Sequence, residues 1–167
     1  MADVELYLIR HGLAAERGDA FPDDTKRPLT SRGIARLRKE ARALAKLGVS
    51  FDQIVTSPLV RARQTADVFA QTLNPHPPLA ISDALAPGGT SVAVIEDLGR
   101  FERRARVALV GHEPNIGELA ARLLGARRAI EFKKGAICRI DVAALPPTRP
   151  GQLRWFATPK MLRLITK

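Results

Sequence analysis

Residues 4–12 read Val-Glu-Leu-Tyr-Leu-Ile-Arg-His-Gly, a short apolar run halted by two basic side chains and a glycine. A run this short and this apolar is the pattern of a strand buried on both faces, and the switch to Arg10 and His11 marks its carboxyl end. Residues 52–56 and 106–110 repeat the pattern, the latter with Val107, Ala108, Leu109 and Val110 contiguous and Gly111-His112 at the end. The intervening segments have helical spacing. Thr30 caps a helix in which Ile34, Leu37, Ala41, Leu44 and Leu47 recur every three or four residues, with Gly48 past its end. Ser57 caps, and Pro58 opens, a helix with Ala62, Ala66, Phe69, Ala70 and Leu73 on one side. Pro114 opens a third, carrying Ile116, Leu119, Ala120, Leu123 and Leu124 and stopped by Gly125. The prolines of residues 74–78 make a connector. A weaker strand over 79–81, a helix over 90–98, strands over 136–142 and 152–157, and a short helix over 159–164 complete the chain. Alternating strands and helices imply right-handed crossovers, so the expected fold is α/β: a three-layer α/β/α sandwich around a mostly parallel central sheet.

A chain of 167 residues is expected to form one domain, spanning 1–167. Hydrophobic residues at 46% and charged residues at 26% exclude disordered and low-complexity classes. The net charge of +10 favours anionic partners: phosphate esters, acidic proteins or nucleic acid. With 5% aromatics and no recognition motif, charge is the sole support for nucleic acid, which is disfavoured. The single cysteine, Cys138, falls in a strand pattern as core and permits no internal disulfide, which suits the cytoplasm. The first residues lack the basic-then-apolar order of a signal peptide, and no run of about 20 apolar residues is present, so no membrane segment is expected. A monomer is the expectation.

Ligands of such sheets bind beyond the carboxyl ends of the strands. Arg10 and His11, Arg61 in the first turn after the second strand, and His112 all fall there, with no carboxylate among the four. Two arginines and two histidines at one rim make an anion site. A phosphoryl group suits it, since a guanidinium fork pairs two donors with two oxygens and helix N-termini add backbone donors. A metal is disfavoured, because two histidines lack a third ligand and the arginines repel a cation. No cysteine stands at a strand end and Ser57 serves as a cap, which leaves neutral His11 as the nucleophile. Gly12, lacking a side chain, permits close approach of a ligand. His76, in the proline loop, reads as structural, and the arginines between Arg32 and Arg42 as a solvated helix face. Arg103, Arg104, Arg127, Arg128, Lys133 and Lys134 read as solvated charge or a docking surface.

Leu8-Ile9-Arg10-His11-Gly12 resembles the Arg-His-Gly signature of the histidine phosphatase superfamily, whose fold is called phosphoglycerate mutase-like. Residues 56–66, Thr-Ser-Pro-Leu-Val-Arg-Ala-Arg-Gln-Thr-Ala, resemble its second block, and 110–114, Val-Gly-His-Glu-Pro, the block with the second histidine. The resemblance implies that His11 is phosphorylated, that Arg10 and Arg61 clamp the phosphoryl oxygens, and that His112 supplies a further donor. Residues 27–33, Lys134-Gly135-Ala136 and residues 155–159 look like the small SixA-type subgroup of phosphohistidine phosphatases, in which the arginine before Pro-Leu-Thr, here Arg27, lies by the phosphate.

One departure bears on substrate. The wider superfamily places a Glu soon after the third strand to protonate the leaving oxygen, whereas residues 83–89 here read Asp-Ala-Leu-Ala-Pro-Gly-Gly, with Asp83 the nearest carboxylate. An imidazole leaving group can arrive already protonated, so the missing acid favours phosphohistidine. The short stretch between Arg61 and His112 leaves no room for a lid, which suits a side chain presented by another protein. The expected function is a metal- and cofactor-independent phosphatase acting on phosphohistidine of a protein such as a histidine phosphotransfer domain. The alternative is a phosphatase of a small phosphate ester, sugar phosphate or nucleotide.

Overall fold

The computed structural model describes residues 3–167. β1 (Val4–Arg10), β2 (Gln53–Thr56), β3 (Leu79–Ile81) and β4 (Arg106–Gly111) are the parallel strands, and β5 (Ile137–Val142) and β6 (Gln152–Ala157) the antiparallel ones. They lie in one six-stranded sheet in the order β3-β2-β4-β1-β5-β6. The helices are α1 (Ser31–Lys46), α2 (Val60–Thr72), α3 (Ser91–Asp97), α4 (Asn115–Leu124) and α5 (Pro159–Ile165). The expected architecture is observed, with the parallel run confined to the first four strands.

The two-residue period of β1 divides the core. Leu6 and Leu8 face the layer of α3 and α4, packing with Val94, Ile116, Leu119 and Leu123. Tyr7 and Ile9 face α1, α2 and α5, packing with Leu37, Leu44, Phe69 and Leu162. Cys138 is buried in the first cluster, as expected of plain core. Leu47 departs from the periodicity: α1 ends at Lys46, the chain turns at Gly48 with φ 74°, and Leu47 is left exposed. No helix among the described residues is long and apolar enough to cross a membrane.

The loop between β1 and α1 is pinned at both ends. Thr30 caps α1 through Gly33 N–H at 2.9 Å, and Thr30 N–H donates to Leu13 O at 3.0 Å. A Cβ at Gly33 would lie 2.2 Å from that same Leu13 oxygen. Helix propensity favours alanine over glycine by about 1 kcal/mol, but a backbone clash of this size outweighs it. Gly33→Ala is therefore expected to lower unfolding free energy by about 1–3 kcal/mol, read by urea denaturation; equal or greater stability would mean that α1 slides freely against Leu13.

Candidate active site

Three strand ends lie side by side. β1 and β4 stay in register to Arg10 opposite Gly111, and His11 N–H donates to Gly111 O at 3.0 Å. One strand further, Ser57 N–H donates to Val110 O at 3.0 Å. The pairing brings the His11 and His112 rings to a centroid separation of 5.0 Å, both buried.

The proton on His11 can be placed. Nδ1 lies 2.8 Å from Gly12 O, and a carbonyl oxygen only accepts, so Nδ1 carries the hydrogen and Nε2 keeps its lone pair. Burial, opposed by that bond and reinforced by His112, Arg61 and Arg10, pushes the ring pKa down to about 3. His11 is thus neutral across the physiological range.

His112 is set by Ser57. The Ser57 Oγ accepts Leu59 N–H at 3.2 Å and lies 2.7 Å from His112 Nε2. With Oγ already accepting Leu59 N–H, a hydroxyl hydrogen directed at Nε2 places the imidazole proton on Nδ1. Burial above all, with Arg61 beside it, pushes the His112 pKa down to about 4. The expected cap at Ser57 is corrected here: α2 begins at Val60 after Leu59, and Ser57 instead orients the second histidine.

The arginines arrive from three directions. Arg10 Nη1 donates to Phe132 O at 2.8 Å. Arg61, in the first turn of α2, donates through Nη1 to Asp24 O at 2.8 Å and through Nη2 to Asp24 Oδ2 at 3.1 Å. Arg27 is buried rather than a solvated loop residue; its Nε donates to Asp24 Oδ1 at 3.0 Å and its Nη1 to Ala15 O at 2.7 Å. The loop that carries Arg27 is tied to α2, since Leu29 N–H donates to Gln64 Oε1 at 2.7 Å.

Asp24 is the residue that sequence reasoning missed. The cluster is not free of carboxylates: one Asp ties Arg61 to Arg27 from a short 3-10 turn, Asp24–Lys26. Partial burial, the largest influence, acts upward, yet the contacts from Arg27 and Arg61 together hold its carboxyl below the usual range. The available signal was its position three residues ahead of Arg27.

Gly12 also departs from expectation. A Cβ there would lie 2.6 Å from Leu37 Cδ1, so the space freed by glycine is taken by α1 and not kept for a ligand. Its N–H donates to Thr65 Oγ1 at 3.1 Å, which ties the loop to α2. Asp83 is not brought to the histidines; it is exposed and lines a separate hollow with Asp97 and Arg100. His76 is exposed, with Nδ1 2.8 Å from Ala70 O, in keeping with a structural role.

Among the described residues, four buried side-chain polar atoms have no hydrogen-bond partner: Arg10 Nε, Arg61 Nε, His112 Nδ1 and Glu40 Oε2. Buried polar atoms are nearly always paired, and leaving one unpaired costs about 1–3 kcal/mol. Three of these four belong to Arg10, Arg61 and His112, the residues whose proximity adds to the depression of the His11 pKa. A buried neutral imidazole beside a second imidazole and two guanidiniums is a set of groups able to act on a phosphoryl group.

Comparison with known proteins agrees with this geometry. A family model described as the histidine phosphatase superfamily (branch 1) matches residues 6–86. An uncharacterised protein of a Picosynechococcus strain is 39% identical over 166 residues, 95% of this chain and 99% of its own. The phosphohistidine phosphatase SixA of Escherichia coli K12 is 29% identical over 163 residues, 96% of this chain and 98% of its own. The solved structure of the protein histidine phosphatase SixA complexed with tungstate superposes with a TM-score of 0.84 at 26% identity, covering 94% of this chain and 98% of that one.

The buried neutral His11 generates a pH prediction. Its folded pKa is depressed below the ordinary 6.5, so the unfolded chain binds the proton more readily and stability falls as pH drops from 6.5 toward 3. Between pH 7 and 4 the His11→Asn variant should lose less unfolding free energy than the wild type, by roughly 2–3 kcal/mol. Parallel pH profiles in urea titrations would show instead that His11 is solvated.

Proposed function

The chain belongs to the histidine phosphatase superfamily, branch 1, and on that footing we propose that it is a phosphatase that removes phosphate from phosphohistidine on another protein. One observation carries the reading: His11 is buried and neutral with its hydrogen committed to Gly12 O, so Nε2 keeps a lone pair, 5.0 Å ring to ring from His112 and within the influence of Arg10 and Arg61.

In this reading Nε2 attacks phosphorus in line, the P–Nε2 bond forms and the P–N bond to the substrate imidazole breaks. The substrate ring, protonated on its other nitrogen, leaves as neutral imidazole and needs no further proton. Arg10 and Arg61 take the phosphoryl oxygens through their free Nε–H groups, and His112 through Nδ1–H. Arg27 acts through Asp24, fixing the plane of the Arg61 guanidinium. Water then attacks phospho-His11, its proton goes to the departing phosphate, and His11 returns as neutral imidazole. These cations supply the charge stabilisation that phosphoryl transfer requires, and no step is routed through a metal.

The substrate class is supported by the site's lack of a proton donor for an alkoxide. Asp83 is exposed and lines a separate hollow; without it an oxygen leaving group would depart unprotonated, whereas an imidazole that arrives protonated would not. A small phosphate ester is the other outcome of the test below.

Phosphate release is to be measured from a phosphohistidine-bearing protein and from a panel of small phosphate esters, at equal concentration and with chelator present. Faster release from the protein is expected, abolished by His11→Ala and cut about 10³-fold by Arg61→Ala. Full activity in His11→Ala, or preference for an ester, would sink the proposal. Asp24→Ala should lower kcat roughly tenfold with a small change in unfolding midpoint, since an oriented arginine is worth more in the transition state than a half-exposed ion pair is worth to folding.

A further inference from the structure

The fourth unpaired polar atom lies next to the catalytic loop. Glu40, on α1, is almost fully buried, with 2% side-chain exposure. Its Oε1 lies 3.6 Å from Arg163 Nη1 while Oε2 has no partner. It lines a cavity of about 320 Å³ with Arg36 of α1, Lys133 and Lys134 ahead of β5, and Arg163 of α5. Arg10 and Gly12 also line it, so one wall of the cavity belongs to the loop that holds His11.

The charges here are unbalanced. Five cationic side chains from four separate segments meet one carboxyl. Lys133 has only Glu131, 3.9 Å away with both side chains exposed, and neither Arg36 nor Lys134 has a carboxylate partner among the described residues. Such a convergence of like charge is unfavourable alone and favourable around an anion.

We propose that this cavity is a docking subsite for an acidic side chain, Asp or Glu, of the phosphoprotein substrate, seated beside the phosphoryl group that Arg10 holds. The proposal rests on the phosphohistidine reading for the identity of the partner, but the subsite itself does not. Its size fits one or two side chains and its rim is open to a protein surface. Burial pushes the Glu40 carboxyl up to about 8 against the pull of Arg163 and Arg36. Neutral near pH 7, the buried Glu40 does not repel an incoming carboxylate from beneath the cavity. The subsite gives a reason for the surplus of cations, which pairs with the partner's acid.

Two measurements test it. Fluorescence anisotropy with labelled hexaglutamate, and hexaglutamine as control, reads the subsite without phosphohistidine. Hexaglutamate should bind and hexaglutamine should not, and the Arg36→Ala/Lys133→Ala double variant should weaken binding roughly tenfold. The Arg103→Ala/Arg104→Ala variant removes the same charge at the opposite end of the sheet and should leave affinity unchanged. An equal loss in both variants would reduce the effect to net charge and overturn the proposal, as would displacement by equimolar pyrophosphate, which would make the cavity a small-anion site. With a phosphohistidine protein, the Arg36→Ala/Lys133→Ala change should raise KM about tenfold, leaving kcat and the turnover of free phosphohistidine unaltered. Absence of phosphoprotein turnover in the wild type would remove the functional reading while the peptide titration still decides the subsite; an unchanged KM in the double variant would overturn the subsite even with turnover intact.

Discussion

The parallel pairing of β1 with β4 is the constraint on which the site depends. Because the ladder runs in register to Arg10 opposite Gly111 and continues through His11 N–H to Gly111 O, the residues that follow the two strands cannot be far apart. The central position of both strands also forces burial: flanked by α1 and α2 below and α4 above, the two rings have little access to water. Burial keeps both imidazoles neutral, so a packing decision made by Leu6, Tyr7, Leu8 and Ile9 becomes a chemical one.

Collecting buried cations at one rim is expensive, and the fold compensates locally. Arg61 and Arg27 share Asp24, and Arg10 is held by Phe132 O; each guanidinium thereby gives up some of its donors to the protein. What is left over is directional. The spare Nε–H groups of Arg10 and Arg61 and the Nδ1–H of His112 have no protein acceptor, and a scaffold that satisfies every other buried donor nearby makes them the place where an oxyanion lowers the free energy. Asp24, half-exposed on a three-residue turn, is the softest part of this frame.

β1, β2 and β4 were legible because their burial on both faces leaves an apolar signature, and the helices because one face of each is apolar; β3, largely exposed and only three residues long, is read correctly because a proline connector precedes it. His11, Arg10, Arg61 and His112 were legible from their position after strands. Asp24 and Ser57 were not. Asp24 sits in a loop without periodicity, and its partnership with Arg61 spans 37 residues, a relation that only the tertiary path creates. Ser57 before a proline has the signature of a helix cap, but its hydroxyl pairs with His112, the residue just past β4. Gly12 misled for a related reason: a small residue beside a catalytic group leaves room, and sequence alone does not say whether a ligand or Leu37 fills it.

The proton inventory links these details to the substrate. His11 holds its one hydrogen on the side away from the lone pair, His112 has its Nε2 occupied by Ser57 and its Nδ1 unpartnered, and the arginines do not give up protons under ordinary conditions. None of these groups can protonate a leaving oxygen without losing the contact that orients it, and Asp83 opens onto a different hollow. A leaving group that carries its own proton makes no such demand. In the proposed reaction the same orientation that would make His11 a nucleophile without a base would also let it leave as neutral imidazole when water attacks phosphorus, so neither leaving imidazole would need a proton from the site.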